Sequence, residues 1–423
     1  MNKNSKVKEY KTRFPQPEGF GTLEDYRQMA WDCVNCNYCQ EMWSWDVKSA
    51  EFSYICPSWA KHKFFAYSAR GRSQIIRALL EGDFDYKDSE KLADIAYRCT
   101  FCGACEINCL RLMERHPVQM IEALRSELVE ERAMVLSEHK AYLESTIKYD
   151  NPFAAPKDER LTWTEDLDFN IKNLAREKGE VLLYIGCMYS LETRVRNTVK
   201  VFAQILHAAG VDFGYLGIEE KCCGMVQARI GERGLFEMLA QENIKAFNNL
   251  GIKTLVTPCP HCYYSFKSYY PKVGKLNFQV LHFTQYLKYL IDDGKIKLNE
   301  MPPQTITYSD PCNLGRWAGV YEAPRQVLKA IKGVELKEME RNHDQAWCCG
   351  AGGGVLVAYP DLSTWTAEQR VKEAESTGAS ALATACPWCE YNLETGIDNR
   401  KSKMEISDIA QIVYKSMRGG KNE

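Results

Sequence analysis

The chain has 423 residues, 45% of them hydrophobic and 26% charged, with a formal net charge of −2. That length allows two or three domains with their own cores, and the near-neutral balance speaks against a nucleic-acid or membrane-surface protein. There is no apolar run of about 18 residues, so no membrane span of its own is expected.

The lead segment, residues 1–30, opens on a polar stretch from Met1 to Pro17 with scattered Lys and Arg. Without an apolar h-region it does not read as a secretory signal. Eighteen cysteines then dominate the chain, eight between Cys33 and Cys109 and ten between Cys187 and Cys389. Secreted disulfide scaffolds are short and carry a signal, so close, repeated cysteine spacings here point to metal ligation.

Residues 31–148 hold two loops of the C-x2-C-x2-C form. Three soft thiolates at that spacing wrap one corner of an iron–sulfur cubane. The second loop, Cys99, Cys102 and Cys105 with Cys109 after it, gives the full run of bacterial two-cluster ferredoxins. Gly103 fits a backbone that comes close to a cluster. The first loop, Cys33, Cys36 and Cys39, finds its fourth cysteine only at Cys56-Pro57, after sixteen residues rather than three. Gln40–Ile55, with Trp43 and Trp45, must therefore loop out or form an extra element. In those ferredoxins the fourth cysteine ligates the other cluster. The likeness implies Cys33, Cys36, Cys39 and Cys109 for one [4Fe–4S] cluster, and Cys99, Cys102, Cys105 and Cys56 for the other. Zinc knuckles need only two C-x2-C pairs, so the third cysteine in each loop favours iron–sulfur.

From about Pro117 to Lys148, Met120, Ile121, Leu124, Leu128 and Met134 recur at helical spacing and predict one long packing helix. Asp150-Asn151-Pro152 to Pro156-Lys157-Asp158 breaks it, and residues 149–178 read as a linker. An internal repeat of about 125 residues follows, longer than any solenoid unit. Apolar β-rich runs precede cysteines in both copies: Val181–Ile185 before Cys187, Thr254–Thr257 before Cys259, Thr305–Tyr308 before Cys312 and Leu382–Thr384 before Cys386. Helical stretches lie between them, at Leu191–Ala209, Leu235–Leu250 and Ser363–Glu375. The pattern predicts right-handed βαβ units, parallel sheets and cysteines at the carboxyl ends of strands.

Each copy carries the same five cysteines. Cys187 precedes Cys222-Cys223-Gly224 and then Cys259-Pro260-His261-Cys262. Cys312 precedes Cys348-Cys349-Gly350 and then Cys386-Pro387-Trp388-Cys389. The gaps are 34 and 35 residues before the CCG and 35 and 36 after it. Side chains of adjacent cysteines diverge, so five thiolates suit a multinuclear centre better than one tetrahedral ion. These motifs, with Ser309 to Arg316 and Cys348 to Gly354, resemble the CCG domain pair of heterodisulfide reductases. With the ferredoxin-type module in front, residues 31–416 resemble the D subunit of the membrane-linked enzymes of that family. Similar subunits occur in sulfate-reduction and benzoyl-CoA reductase electron-transfer complexes.

The resemblance implies a multidomain fold: a mainly α-helical two-cluster domain (31–148), then duplicated α/β cysteine-rich domains at 179–300 and 301–416. It implies a noncubane [4Fe–4S] centre at Cys187, Cys222, Cys223, Cys259 and Cys262, and another at Cys312, Cys348, Cys349, Cys386 and Cys389. Two sets of four and two of five leave no cysteine over. The implied activity is an iron–sulfur oxidoreductase subunit that passes electrons from the cubanes to the CCG centres, with a thiol or disulfide substrate there. The alternatives are a pure relay between redox partners, or structural zinc in one CCG site. Partners would be a flavoprotein, a membrane cytochrome or an acyl-CoA reductase, with no nucleic acid. A cytoplasmic location, free or on the cytoplasmic face of a membrane complex, suits oxygen-sensitive clusters.

Among the neighbours, His261 is a candidate proton donor to a leaving thiolate, against a plain loop histidine. The Gly350–Gly354 run lacks the G-x-G-x-x-G spacing, so its N–H groups are expected to face sulfur rather than phosphate. Arg316 could hold an anionic substrate or pair with a nearby carboxylate; His343 carries no firm role. Tyr263, Tyr264, Phe266, Tyr269 and Tyr270 are expected in core and interface packing.

Overall fold

Short apolar runs joined by helix-length segments can only pair in parallel, through crossovers that cover both faces of the sheet. The computed structural model describes residues 12–83, 85–88, 91–130, 134–165 and 167–419, so most of the polar opening stretch lies outside the described residues. Among these, nine strands form two all-parallel sheets. The first holds β1 (Lys172–Asn173), β2 (Val181–Leu183), β3 (Phe213–Tyr215), β4 (Thr254–Thr257) and β5 (Gln279–His282), in the order β1-β3-β2-β4-β5. The second holds β6 (Gln304–Tyr308), β7 (Val334–Lys337), β8 (Ala381–Thr384) and β9 (Glu405–Asp408), in the order β7-β6-β8-β9. Apart from β1 the two orders are the same, which is the repeat made visible.

The central strands are buried on both faces. Leu182, Leu183, Leu255, Val256, Leu382 and Ala383 are all fully buried. Each such leucine or valine contributes about 1.5–3 kcal/mol by leaving water. Helices Thr193–Ala208, Arg233–Asn249, Pro360–Ser376 and Pro387–Arg400 supply the covering layers, and one continuous core runs through both sheets. Capping boxes close β5 and β9 alike: His282 with Gln285 and Asp408 with Gln411 start the next helix in each copy.

The N-terminal part is helical, with Ala69–Glu81, Ala104–Met113 and Pro117–Glu130 around Met29, Ile76, Leu124 and Leu128. The single helix predicted from Pro117 to Lys148 is instead two, Pro117–Glu130 and Ser137–Tyr149. Leu136 is extended, at φ −66° and ψ 148°. Met134 and Leu136 pack into the junction with both repeats, and the turn brings His139 Nε2 within 3.0 Å of the Gly354 carbonyl. The stretch read as a linker is likewise built in: Lys157–Thr164 is a 3-10 helix, and β1 extends the first sheet. Gln40–Ile55 does loop out, closed by an antiparallel bridge between Glu41 and Tyr54. Its Met42, Val47, Phe52 and Ile55 pack with Cys102 and Cys348.

One side chain ties these parts together. Arg125, fully buried, donates to five carbonyls: Ala96, Tyr97 and Cys99 of the N-terminal part, Arg229 of the first repeat and Gly353 of the second.

Candidate metal centres

Every cysteine of the repeats follows a strand at its carboxyl end, and local geometry aims it inward. Cys259 and Cys386 are N-caps with proline in the first turn, and Cys187 opens the helix Cys187–Leu191. Helix N-termini favour thiolate. In each CCG turn the glycine takes a left-handed backbone, φ 79° at Gly224 and 98° at Gly350. The turn points the glycine N–H back at sulfur, 3.5 Å from Cys222 Sγ and 3.2 Å from Cys348 Sγ.

The thiols of each copy then meet in the same sequence. Sulfur-to-sulfur contacts run Cys187, Cys222, Cys223, Cys262, Cys259 in the first copy. They run Cys312, Cys348, Cys349, Cys389, Cys386 in the second. His261 lies between Cys259 and Cys386, with its Nδ1 unpartnered, so it stands between the two sets. Burial alone would lower its basicity, but these two sulfurs push it up to about 10. At the other end, the contact with Cys348 draws the Cys102 thiol down to about 5 despite its burial. The second CCG set thus touches a thiol of the N-terminal part, whereas the first packs against the segment around Phe153 and Ala155.

In the N-terminal part, Cys33, Cys36, Cys39 and Cys109 line one cavity, and Cys56, Cys99, Cys102 and Cys105 line another. These are the groups expected from the ferredoxin likeness, with Cys56 included despite its spacing. Burial pushes the thiols of Cys56 and Cys109 up to about 12. Gly103 has a positive φ, and the close approach there is to a side chain: a Cβ would sit 2.8 Å from the Trp317 indole.

The arginines test whether an anionic group fits. Buried arginines remote from the thiols pair with acids, Arg325 with Asp310, and Arg341 and Arg370 with Glu373. Of those beside the thiols, Arg160 by Cys187 pairs with Glu220, but four others have no acid partner among the described residues. Arg72 donates to the Tyr67 and Ile95 carbonyls, Arg115 to Met29 O and toward Cys109 Sγ, and Arg316 to Cys102 O and Ala346 O. Arg229, 4% exposed, is boxed by the rings of Phe101, Tyr264, Tyr269 and Trp317, with Nη2 unpartnered. Uncompensated buried cations are costly. A negatively charged thiolate-bound cluster in each set is the counter-charge they lack, so the residues fit iron–sulfur centres.

Two neighbours are placed differently from expectation. Among the described residues Arg316 pairs with no carboxylate; it donates to the Cys102 and Ala346 carbonyls between the second CCG set and Cys102, with Nη2 unpartnered. His343 points to Glu322, 3.4 Å away, and touches no cysteine. Gly350 does aim its N–H at sulfur. Gly352, Gly353 and Gly354 serve close packing instead, since Cβ atoms there would meet Thr100 O, Cys99 O and His139 at 2.4–2.5 Å. The aromatic run from Tyr263 to Tyr270 packs as expected, mostly in the core. Beside His261, a narrow cleft between the copies is lined by Met225, Val226, Arg229, Leu356 and Trp388.

Sequence reasoning missed the fully buried pair Arg160–Glu220 at the first CCG set. Arg160 Nη2 lies 3.1 Å from Cys187 Sγ and Nη1 lies 3.0 Å from Glu220. Glu220 also accepts the N–H groups of Ile185 and Gly186 at 3.0 and 2.9 Å. Burial raises its carboxyl to about 7 against the pull of these donors. The acid's place two residues before the CCG was the available signal; nothing marked the arginine.

Comparison with known proteins agrees with this geometry. Residues 181–267 and 306–394 each match the family model described as a cysteine-rich domain. The chain is 33% identical over 394 residues to the D subunit of the dihydromethanophenazine:CoB–CoM heterodisulfide reductase of Methanosarcina barkeri, covering 91% of this chain and 93% of that one. The Methanosarcina mazei counterpart is 34% identical over 393 residues, with the same coverage. The EtfAB:quinone oxidoreductase of Syntrophomonas wolfei is 32% identical over 79% of this chain, but only 48% of its own length is covered.

Proposed function

Because the chain belongs to the family of iron–sulfur oxidoreductase subunits that includes the D subunit of heterodisulfide reductase, we propose that it is the four-cluster electron-transfer subunit of a multi-subunit redox complex. Its N-terminal part acts as a two-cluster ferredoxin-type module, and a thiol or disulfide reacts at the CCG sites. The observation that carries this reading is the unbroken row of thiols. It runs from the Cys33 set to the Cys56 set, through Cys102 to Cys348, and through His261 to the Cys259 set. Bound there, the clusters supply one-electron carriers in series and, at the CCG sites, iron able to take up a substrate sulfur.

The chain's own residues do the rest. Arg72, Arg115, Arg229 and Arg316 face the sets' negative charge without an acid partner, whereas Arg160 at Cys187 shares its charge with Glu220. The apolar cleft beside His261 keeps water from the space between the two CCG sets. The His261 imidazole stands between the two sets and can hand a proton to a thiolate released at either, as a positioned general acid does. The likeness to an EtfAB:quinone oxidoreductase supports a second reading, in which the CCG sites pass electrons onward and take no substrate.

Metal analysis of anaerobically purified protein tests the cluster count: about sixteen irons per chain are expected from four [4Fe–4S] sites. Eight irons with one or two zincs would overturn it. Viologen-reduced protein is then offered a thiol heterodisulfide. Turnover supports the disulfide chemistry; no turnover, with no thiol-dependent change in the cluster EPR signal, leaves the relay.

A further inference from the structure

Of the eighteen cysteines, Cys36 alone is exposed. It lies in the Cys33–Cys39 loop, where Asn35 and Asn37 adopt left-handed backbones at φ 57° and 66°. Among the described residues eleven large apolar side chains are exposed, and five of them fall between Trp31 and Phe65. Three of these flank the loop, and Val34, 62% exposed, sits within it. Trp31, half exposed, lies under the Arg77 guanidinium at 3.5 Å. Phe65 lies under Arg70 at 4.4 Å, and Arg70 reaches Asn35 Oδ1 at 3.0 Å and also Asn37. Trp45, 71% exposed, packs edge-on against Trp43 at 4.5 Å, and Trp43 stacks on the loop's own Tyr38 at 4.5 Å.

Charge on this face is uneven. Asp32 is balanced by Arg13 and Arg77 by Glu81, whereas the hydrogen-bond partners of Arg70 are amide oxygens. Tryptophan, phenylalanine and arginine are the residues enriched at protein interfaces. Transient redox encounters need less than about 1,200 Å² in total, so a ring of aromatics around one loop is large enough.

We propose that this ring, Trp31, Val34, Trp45 and Phe65 around Cys36 with Arg70 at its rim, is the docking face for an acidic electron-carrier protein whose own redox group lies at its surface. The inference rests on the four-cluster reading, because only a cluster in the Cys33 set gives a carrier something to exchange electrons with. Val34 and Arg70 line the same cavity as the Cys33 set, so a redox protein docked here sits beside that set, from which a lipid surface would gain nothing. Acidic side chains on the carrier would pair with Arg70 and bring the two redox groups together.

The test uses cluster-loaded, full-length protein and two reductants: a reduced acidic two-[4Fe–4S] ferredoxin and reduced methyl viologen. Reduction is followed by stopped-flow absorbance for the wild type and for Phe65→Glu and Trp45→Glu. The ferredoxin rate is expected to fall at least about tenfold in each variant and to weaken with salt, while the viologen rate stays within about twofold. An unchanged ferredoxin rate overturns the docking face. So does an equal fall with both reductants, which would place the damage in the protein itself. Sedimentation of the wild type, but not of the variants, with anionic phospholipid vesicles also overturns it and assigns the aromatics to a membrane. A wild type that holds iron but exchanges no electrons with ferredoxin sinks this inference alone. Wild type without reducible iron–sulfur sinks the reading beneath it.

Discussion

The two CCG sites are built on the same strand order and the same chain of sulfur contacts, yet they are wired differently. At the first, Arg160 and Glu220 form a fully buried pair against Cys187, and His261 stands between this set and its twin. The second meets the N-terminal part through Cys348 and Cys102, and is served by Arg316, which holds carbonyls rather than an acid. At the x position of C-P-x-C, His261 faces Trp388 across the pseudo-symmetry axis, with ring centroids 5.7 Å apart. Duplication supplied two equal scaffolds, and the neighbouring charges set them apart.

The largest test of that contrast is Arg160→Met. Removing one partner of a buried pair costs about 3–5 kcal/mol, and thermal unfolding should show it at pH 7.5. The loss should shrink at pH 5.5, where Glu220 takes up a proton. Arg316→Met, whose hydrogen-bond partners are main-chain carbonyls, should cost about 2 kcal/mol and vary less between the two pH values. Equal pH behaviour of the two variants would erase the distinction between the sites.

Next comes the CCG glycine. A Cβ at Gly350 would stand 2.4 Å from the Ser363 carbonyl oxygen, and one at Gly224 would stand 2.7 Å from the Phe236 ring. With both backbones left-handed, Gly350→Ala should cost about 3 kcal/mol and Gly224→Ala about 2. Urea midpoints measure the difference, since a ring yields more readily than a main-chain oxygen.

The smallest effect is a slope. Burial raises Glu220 in the first copy to about 7, and Asp408 in the second to about 7. Each group binds its proton more tightly folded than unfolded, so its contribution to stability is full at low pH. That contribution is lost as pH rises from the ordinary carboxylate range through 7. Each adds a fall of up to about 1.4 kcal/mol per pH unit. Glu220→Gln and Asp408→Asn should each flatten the stability profile between pH 5 and 7. Asn is also a good N-cap, so Asp408→Asn leaves the helix start intact.

Much of this arrangement was legible in the sequence. Continuous apolar runs such as Val181–Ile185 fit only strands buried on both faces, and cysteines at fixed offsets after them had to gather at one sheet edge. The thiol groupings in the N-terminal part were implied by the likeness to two-cluster ferredoxins, whose fourth cysteine serves the other cluster. What stayed hidden depends on contacts between distant segments. The break at Leu136 exists because His139 has to reach Gly354, 215 residues away. Arg160 sits in a turn-rich stretch with no periodicity, and only folding puts it on Cys187. His261 stood out in the sequence by its place inside C-P-x-C, but its position between the two sets appears only once the repeats dock face to face.

Arg125 makes the three parts depend on one another. Its five carbonyl partners come from three separate stretches of chain, and a buried guanidinium whose donors go unmet is costly. The junction is therefore complete only when all three stretches are in place, with Cys99, Cys102 and Cys105 buried beside it.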